Sequence, residues 1–178
     1  NTDIGGSDLV VSNVVGADTV TLSGTGTLAG ANAGTQTISG FGSLALSNNN
    51  YTLTGGTGNA TIDKVVLTVT ADDKTRTYGS SNPSLTQTIT GFVNSETISV
   101  ISGTATASTT ATTSTNAGSS TISASAGNLS ATNYSFTTVD GTLTINPLAV
   151  SLSGSRAYNG NTDIGGSDLV VSNVVGAD

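Results

Sequence analysis

Val65-Val66-Leu67-Thr68-Val69-Thr70-Ala71 sets Val65, Leu67, Val69 and Ala71 on one face of an extended chain and Thr68 and Thr70 on the other. Successive side chains of a strand point to opposite faces, so this period of two predicts a strand buried on one side. Leu143 and Ile145, set against Thr142, Thr144 and Asn146, repeat the pattern. Further from these, residues 19–22, 35–39, 44–46 and 51–54 read as additional strands. The turns between them fall at Gly-Gly pairs, at Gly24-Thr25-Gly26, at Asn48-Asn49-Asn50 and at Gly55-Gly56-Thr57-Gly58. No window carries helical periodicity. The nearest approach is one turn at Asn82-Pro83-Ser84-Leu85, with Asn as cap and Pro in the first helical position. The chain is expected to be all-β.

Residues 161–178 are identical to residues 1–18, so the period is 160 residues and the chain is one period cut out of register. A second repeat lies within the first. Asn32-Ala33-Gly34 with Thr37-Ile38-Ser39 recurs as Asn116-Ala117-Gly118 with Thr121-Ile122-Ser123. Asn50-Tyr51-Thr52-Leu53-Thr54 recurs as Asn133-Tyr134-Ser135-Phe136-Thr137, and Ile62 and Ile145 follow each tyrosine at the same distance. Arg76-Thr77-Tyr78-Gly79 has its counterpart in Arg156-Ala157-Tyr158-Asn159-Gly160. Each period therefore reads as two modules of about 80 residues, a normal size for a small domain. Module A occupies residues 1–64 without its first strand, and module B residues 65–147. Residues 148–178 begin the next module A. Ile62-Asp63-Lys64-Val65 and Ile145-Asn146-Pro147-Leu148 pass from strand to strand with no flexible linker. Two tandem β-sandwich-like modules in an elongated, stiff rod are expected. The alternative architecture is a pair of β-grasp-like modules with one short helical turn.

The composition closes off several functions. There is no His, Cys, Met or Trp, and four basic residues stand against eleven acidic ones. A net charge of −7 excludes a nucleic-acid surface, which needs clustered Lys and Arg. No apolar run reaches the roughly eighteen residues of a membrane span. Without His there is no ordinary base to activate a nucleophile, so the 58 Ser and Thr residues read as strand surface and the chain as no enzyme.

Val66-Leu67-Thr68-Val69-Thr70-Ala71-Asp72-Asp73-Lys74-Thr75-Arg76-Thr77-Tyr78-Gly79, followed by Asn82-Pro83-Ser84-Leu85 and Val93-Asn94-Ser95-Glu96-Thr97, resembles the MBG domain of bacterial adhesins. Module A, with Arg156-Ala157-Tyr158-Asn159-Gly160, resembles the YDG domain that alternates with it. Asn159 stands where that domain's name expects aspartate, so a charge-dependent role is lost while the turn geometry survives. The resemblance implies secreted or surface-anchored adhesins in which these domains form the repetitive region, and it implies no catalytic residues.

The remaining candidates are few. If the chain takes a metal, calcium suits its donors, and Asp63, Asp72, Asp73 and Asp140 are the carboxylates to supply oxygens. No spacing matches a defined calcium loop, and the competing reading is of solvated acids that keep a repetitive β-surface soluble. No cofactor is called for. Tyr51, Tyr78, Tyr134 and Tyr158 recur at equivalent places and are expected in the core or at module interfaces. The Thr-rich run 104–115 lacks the regular spacing of an ice-binding face. Lys64 sits at a junction, which argues against a Lys–Asn isopeptide bond. The expected role is that of an extracellular spacer, a stalk projecting a distal adhesive domain for attachment and biofilm formation. The alternative is that the modules themselves bind polysaccharide or ice. The expected partners are identical repeats end to end, with head-to-tail association between copies of this chain.

Overall fold

In the computed structural model, which describes residues 2–53 and 58–176, Val65–Ala71 is the strand its alternation predicts. Leu67, Val69 and Ala71 are buried, while Val65, at the start of the same face, stays exposed. The strands in chain order are β1 (Asp3–Gly5), β2 (Leu22–Ser23), β3 (Thr25–Leu28), β4 (Gly34–Gly40), β5 (Ala45–Leu46), β6 (Asn59–Ile62), β7 (Val65–Ala71) and β8 (Lys74–Thr77). They continue with β9 (Gln87–Thr90), β10 (Thr106–Ser108), β11 (Gly118–Ser125), β12 (Tyr134–Val139), β13 (Gly141–Asn146), β14 (Ser151–Gly154) and β15 (Leu169–Ser172). The helical content among the described residues is three single 3₁₀ turns, Gly6–Asp8, Ile98–Val100 and Gly166–Asp168. The chain is all-β.

The chain forms two compact units. One holds Asn1–Leu67, Gly91–Ser102 and Ser130–Ser135, and the other holds Thr68–Thr90, Gly103–Leu129 and Phe136–Asp178. In the second unit, β13 is the hinge of the sheet β10-β11-β13-β8. It runs antiparallel to β11, with Leu143 opposite Ser120, and parallel to β8, with Ile145 opposite Arg76. β7 lies in the middle of the sheet β12-β7-β9, with Val69 opposite Ile89. Ala71 from β7 joins Ile122 from β11, Leu143 and Ile145 from β13, and Ala111 in one buried cluster. Strands from two sheets therefore share a core, and each large aliphatic side chain so buried contributes about 2 kcal/mol.

The first unit carries the sheet β1-β3-β4-β6 and the short pair β2-β5. The β4–β6 ladder, with Gly34 opposite Ile62, corresponds to the β11–β13 ladder, with Gly118 opposite Ile145. Its interior is less closed. Leu28 and Ala60 are buried, but Ile38, Leu44, Leu46 and Leu53 are only half-buried.

Some local expectations need adjusting. The strand expected at 19–22 begins at Leu22 and breaks at Gly24 before resuming as β3. Residues 51–53 are in no strand, and Thr54 with Gly55, Gly56 and Thr57 lies outside the described residues. No helical turn forms at 82–85. The cap that Asn82 would provide is engaged elsewhere: its Oδ1 accepts from Arg76 Nε at 2.8 Å and its Nδ2 donates to the Ala111 carbonyl at 2.6 Å.

Candidate functional site

The internal repeat is carried by matching hydrogen bonds, beginning with two tyrosines. The Tyr51 hydroxyl donates to Asp18 Oδ2 at 2.9 Å and accepts the Val15 N–H at 2.9 Å. The Tyr134 hydroxyl donates to Glu96 and accepts the Val93 N–H at 3.3 Å. In both cases the acidic residue closes a tight turn, Asp18 N–H to the Val15 carbonyl and Glu96 N–H to the Val93 carbonyl. Gly16, Asn94 and Ser95 supply the left-handed backbone these turns require. The hydrogen bond to Glu96 pushes the Tyr134 phenol above its usual range, so it stays protonated and donating. Phe92 packs edge-on against the Tyr134 ring at 5.8 Å between centroids. The sequence showed the recurring tyrosines but not their partners. The signal was a valine three residues before an acid, Val15…Asp18 and Val93…Glu96, separated by turn-forming residues.

A second pair of turns matches as closely. Thr25 N–H donates to Ser43 Oγ at 3.0 Å, and Thr104 N–H donates to Asn128 Oδ1 at 2.7 Å. Ahead of them sit Gly24 and Gly103, both left-handed, where a Cβ would lie 2.2 Å from the Ser43 carbonyl oxygen and 2.3 Å from that of Asn128. Only glycine fits so close an approach.

Among the described residues Arg76 is the one charged side chain that is buried, 6% exposed. Its guanidinium donates to Asn82 Oδ1, to the Thr77 carbonyl and to the Thr112 carbonyl, tying β8 to two loops. Its counterpart Arg156 donates to Asn159 Oδ1 and to the carbonyls of Ala157 and Asn161. Asn159 Oδ1 also accepts the Asn161 N–H at 3.2 Å, so the amide holds this turn.

The four tyrosines divide. Tyr134 is buried, Tyr51 and Tyr78 are half-buried, and Tyr158 is 95% exposed. The expected placement in the core or at a module interface fits Tyr134 and fails for Tyr158.

β6 ends at Ile62 and β7 begins at Val65. Asn133 ties the start of β7 to the turn before β4. Its Oδ1 accepts the Ala33 N–H at 2.9 Å, its Nδ2 donates to Asn32 Oδ1 at 3.3 Å, and its carbonyl accepts the Val65 N–H at 3.0 Å. Lys64 Nζ donates to the Ala131 carbonyl at 2.9 Å.

The candidate calcium ligands are engaged separately. Asp72 accepts from the hydroxyls of Thr86 and Thr88, which hold its carboxyl below the usual carboxylate range, with Lys74 adding a smaller attraction. Asp73 Oδ1 accepts the Thr142 N–H at 2.6 Å, and Asp140 Oδ1 accepts the Ala124 N–H at 2.8 Å. Among the described residues no three acidic side chains gather where an ion could sit. Millimolar calcium is therefore expected to leave the melting temperature unchanged. A native-state ion at 100 times its dissociation constant would add about 2.7 kcal/mol and raise the midpoint by several degrees in differential scanning calorimetry.

One concave surface stands out. A groove of about 750 Å³ in the first unit is lined by Leu9, Val11, Ile38, Leu46, Tyr51 and Leu53, among others. Residues 9–12 on its wall are in no strand.

Residues 67–144 match the family model of the MBG domain, YGX type. The MBG domain is a repeat domain of surface adhesin-type proteins and no enzyme family. Tyr78-Gly79-Ser80, with Gly79 at φ +81°, stands where the type's name places its tyrosine and glycine. Comparisons with curated proteins and with solved structures gave no match. No helix among the described residues is long and apolar enough to cross a membrane.

Proposed function

We propose that this chain is part of the repetitive region of an extracellular bacterial surface adhesin, where it serves as a spacer that carries a distal adhesive element away from the cell. Residues 1–64 act as one module and 65–147 as the next, with 148–178 opening the module that follows. The observation that carries this reading is the junction. Two residues separate β6 from β7, and Asn133 and Lys64 cross-link the modules through hydrogen bonds to backbone and amide groups. A binding module on a tether needs freedom at its ends, whereas a spacer needs stiffness there. The MBG match over module B supports placement among surface adhesins.

Small-angle scattering tests the stiffness. Strands of six to eight residues span roughly 20–27 Å, so two modules in line give a largest dimension above about 45 Å. A scattering curve showing free bending between modules contradicts the spacer. A glycan array and an ice-affinity assay on the same chain test the alternative, and silence in both is the expected result.

A further inference from the structure

The groove on the first unit and the hairpin at the end of the chain complement each other. β14 and β15 pair antiparallel, with Leu152 opposite Val171 and Gly154 opposite Leu169. Residues 169–172 are identical to residues 9–12, which form one wall of the groove. Whatever ladder β14 makes with 169–172 it can therefore make with 9–12, residue for residue: Ser151 with Ser12, Leu152 with Val11, Ser153 with Val10, Gly154 with Leu9.

Module B shows what such a strand does when it is in place. β7 there lies between β12 and β9, with Leu67 and Val69 fully buried. Counting from the junction, Ile145 matches Ile62, so Val150 and Leu152 take the positions of Leu67 and Val69. Those two are 50% and 62% exposed on the terminal hairpin. The groove has the opposite defect. Ile38 and Tyr51 in its lining are half-buried, although their counterparts Ile122 and Tyr134 are closed off in module B. One surface lacks a strand between its 9–12 wall and its Tyr51–Leu53 wall, and the other carries that strand with its apolar face in water.

We propose that the groove is a strand-acceptor site and that its occupant is the segment 148–154 of a second copy of this chain. The segment adds between residues 9–12 and 51–53 with the register above, seating Val150 and Leu152 in the groove. In a continuous array the same segment arrives from the preceding period, because residue 160 of one period runs into residue 1 of the next. Insertion also brings Asn50 of the acceptor to Asn116 and Ala117 of the donor, repeating the bridge that Asn133 makes to Asn32 and Ala33. Because donor and acceptor surfaces differ, the association is head-to-tail and open-ended. The ladder exchanged is one of identical sequence, so the net gain comes from the apolar side chains newly covered. The inference rests on the repeat and on the groove, and the spacer role stands or falls separately on the scattering result.

Sedimentation of the 178-residue chain is expected to show species growing from monomer through dimer to longer oligomers as concentration rises. Leu152→Asp, at an exposed position whose substitution leaves the fold intact by circular dichroism, is expected to weaken association at least about thirtyfold. The register gives a sharper test, since the chain has no cysteine. In the double variant Val11→Cys, Leu152→Cys the two thiols face each other across the new ladder within disulfide reach. Mild oxidation should yield a ladder of covalent oligomers on a non-reducing gel, and neither single variant should. A monomer at every concentration overturns the proposal, as does a cross-link formed within one chain or equal cross-linking in a single variant.

Discussion

Ile122→Ala is expected to lower the unfolding free energy of its unit by about 3–4 kcal/mol, and Ile38→Ala by only about 1 kcal/mol. The two isoleucines occupy the same place in the internal repeat, Thr-Ile-Ser on the strand that begins at an Asn-Ala-Gly turn. Sequence alone assigns them equal weight. The structure separates them. Ile122 is fully buried against Leu143, Ile145, Ala71 and Ala111, so truncation loses the transfer free energy and leaves a cavity with rigid walls. Ile38 lines the open groove, where truncation removes atoms already partly in water. Urea unfolding followed by circular dichroism, with amide exchange to assign each loss to its unit, measures the difference. Equal effects at the two sites would mean that the groove is closed in solution. Under saturating association, Ile38→Ala should become the costlier of its two measurements, because the inserted strand then covers it.

Arg76→Met is expected to cost about 3 kcal/mol or more, and Arg156→Met less than about 1 kcal/mol. Arg76 is buried and its guanidinium donates to the Asn82 side chain and to the carbonyls of Thr77 and Thr112. Methionine keeps much of the volume but supplies no donor, so these oxygens lose a charge-assisted partner inside the fold. Asn82, released from Arg76, also loosens its grip on the Ala111 carbonyl, and Ala111 belongs to the core cluster. Arg156 makes similar bonds at a half-exposed site where water replaces each of them. Thermal melting of the two variants side by side checks the contrast. A loss of similar size at both sites would show that the bonds, rather than their burial, set the cost.

Much of this molecule was legible before any coordinates. The alternation Val65–Ala71 and the pair Leu143, Ile145 determined the strands and their buried faces, because the period of two is a property of the extended backbone itself. The identity of 161–178 with 1–18 gave the period, and the recurrence of Asn-Tyr and Arg-x-Tyr set the expectation of two related modules within it. The absence of His and Cys and the net negative charge set the expectation against catalysis and nucleic-acid binding, because both depend on the residue types present. Tertiary structure decided everything that turns on which groups meet. Nothing in the sequence pairs Asp18 or Glu96 with a tyrosine, and the fold places each against a tyrosine hydroxyl. Asn82 read as a helix cap until Arg76 and the Ala111 carbonyl claimed its amide, because a long-range bond to a buried cation outweighs one local turn. Residues 9–12 and 169–172 share one sequence yet differ in structure, one set in a ladder and the other along an open groove. Local propensity is identical in the two, so the difference lies in whether a partner strand is present, and strand pairing is a contact between segments far apart in the chain.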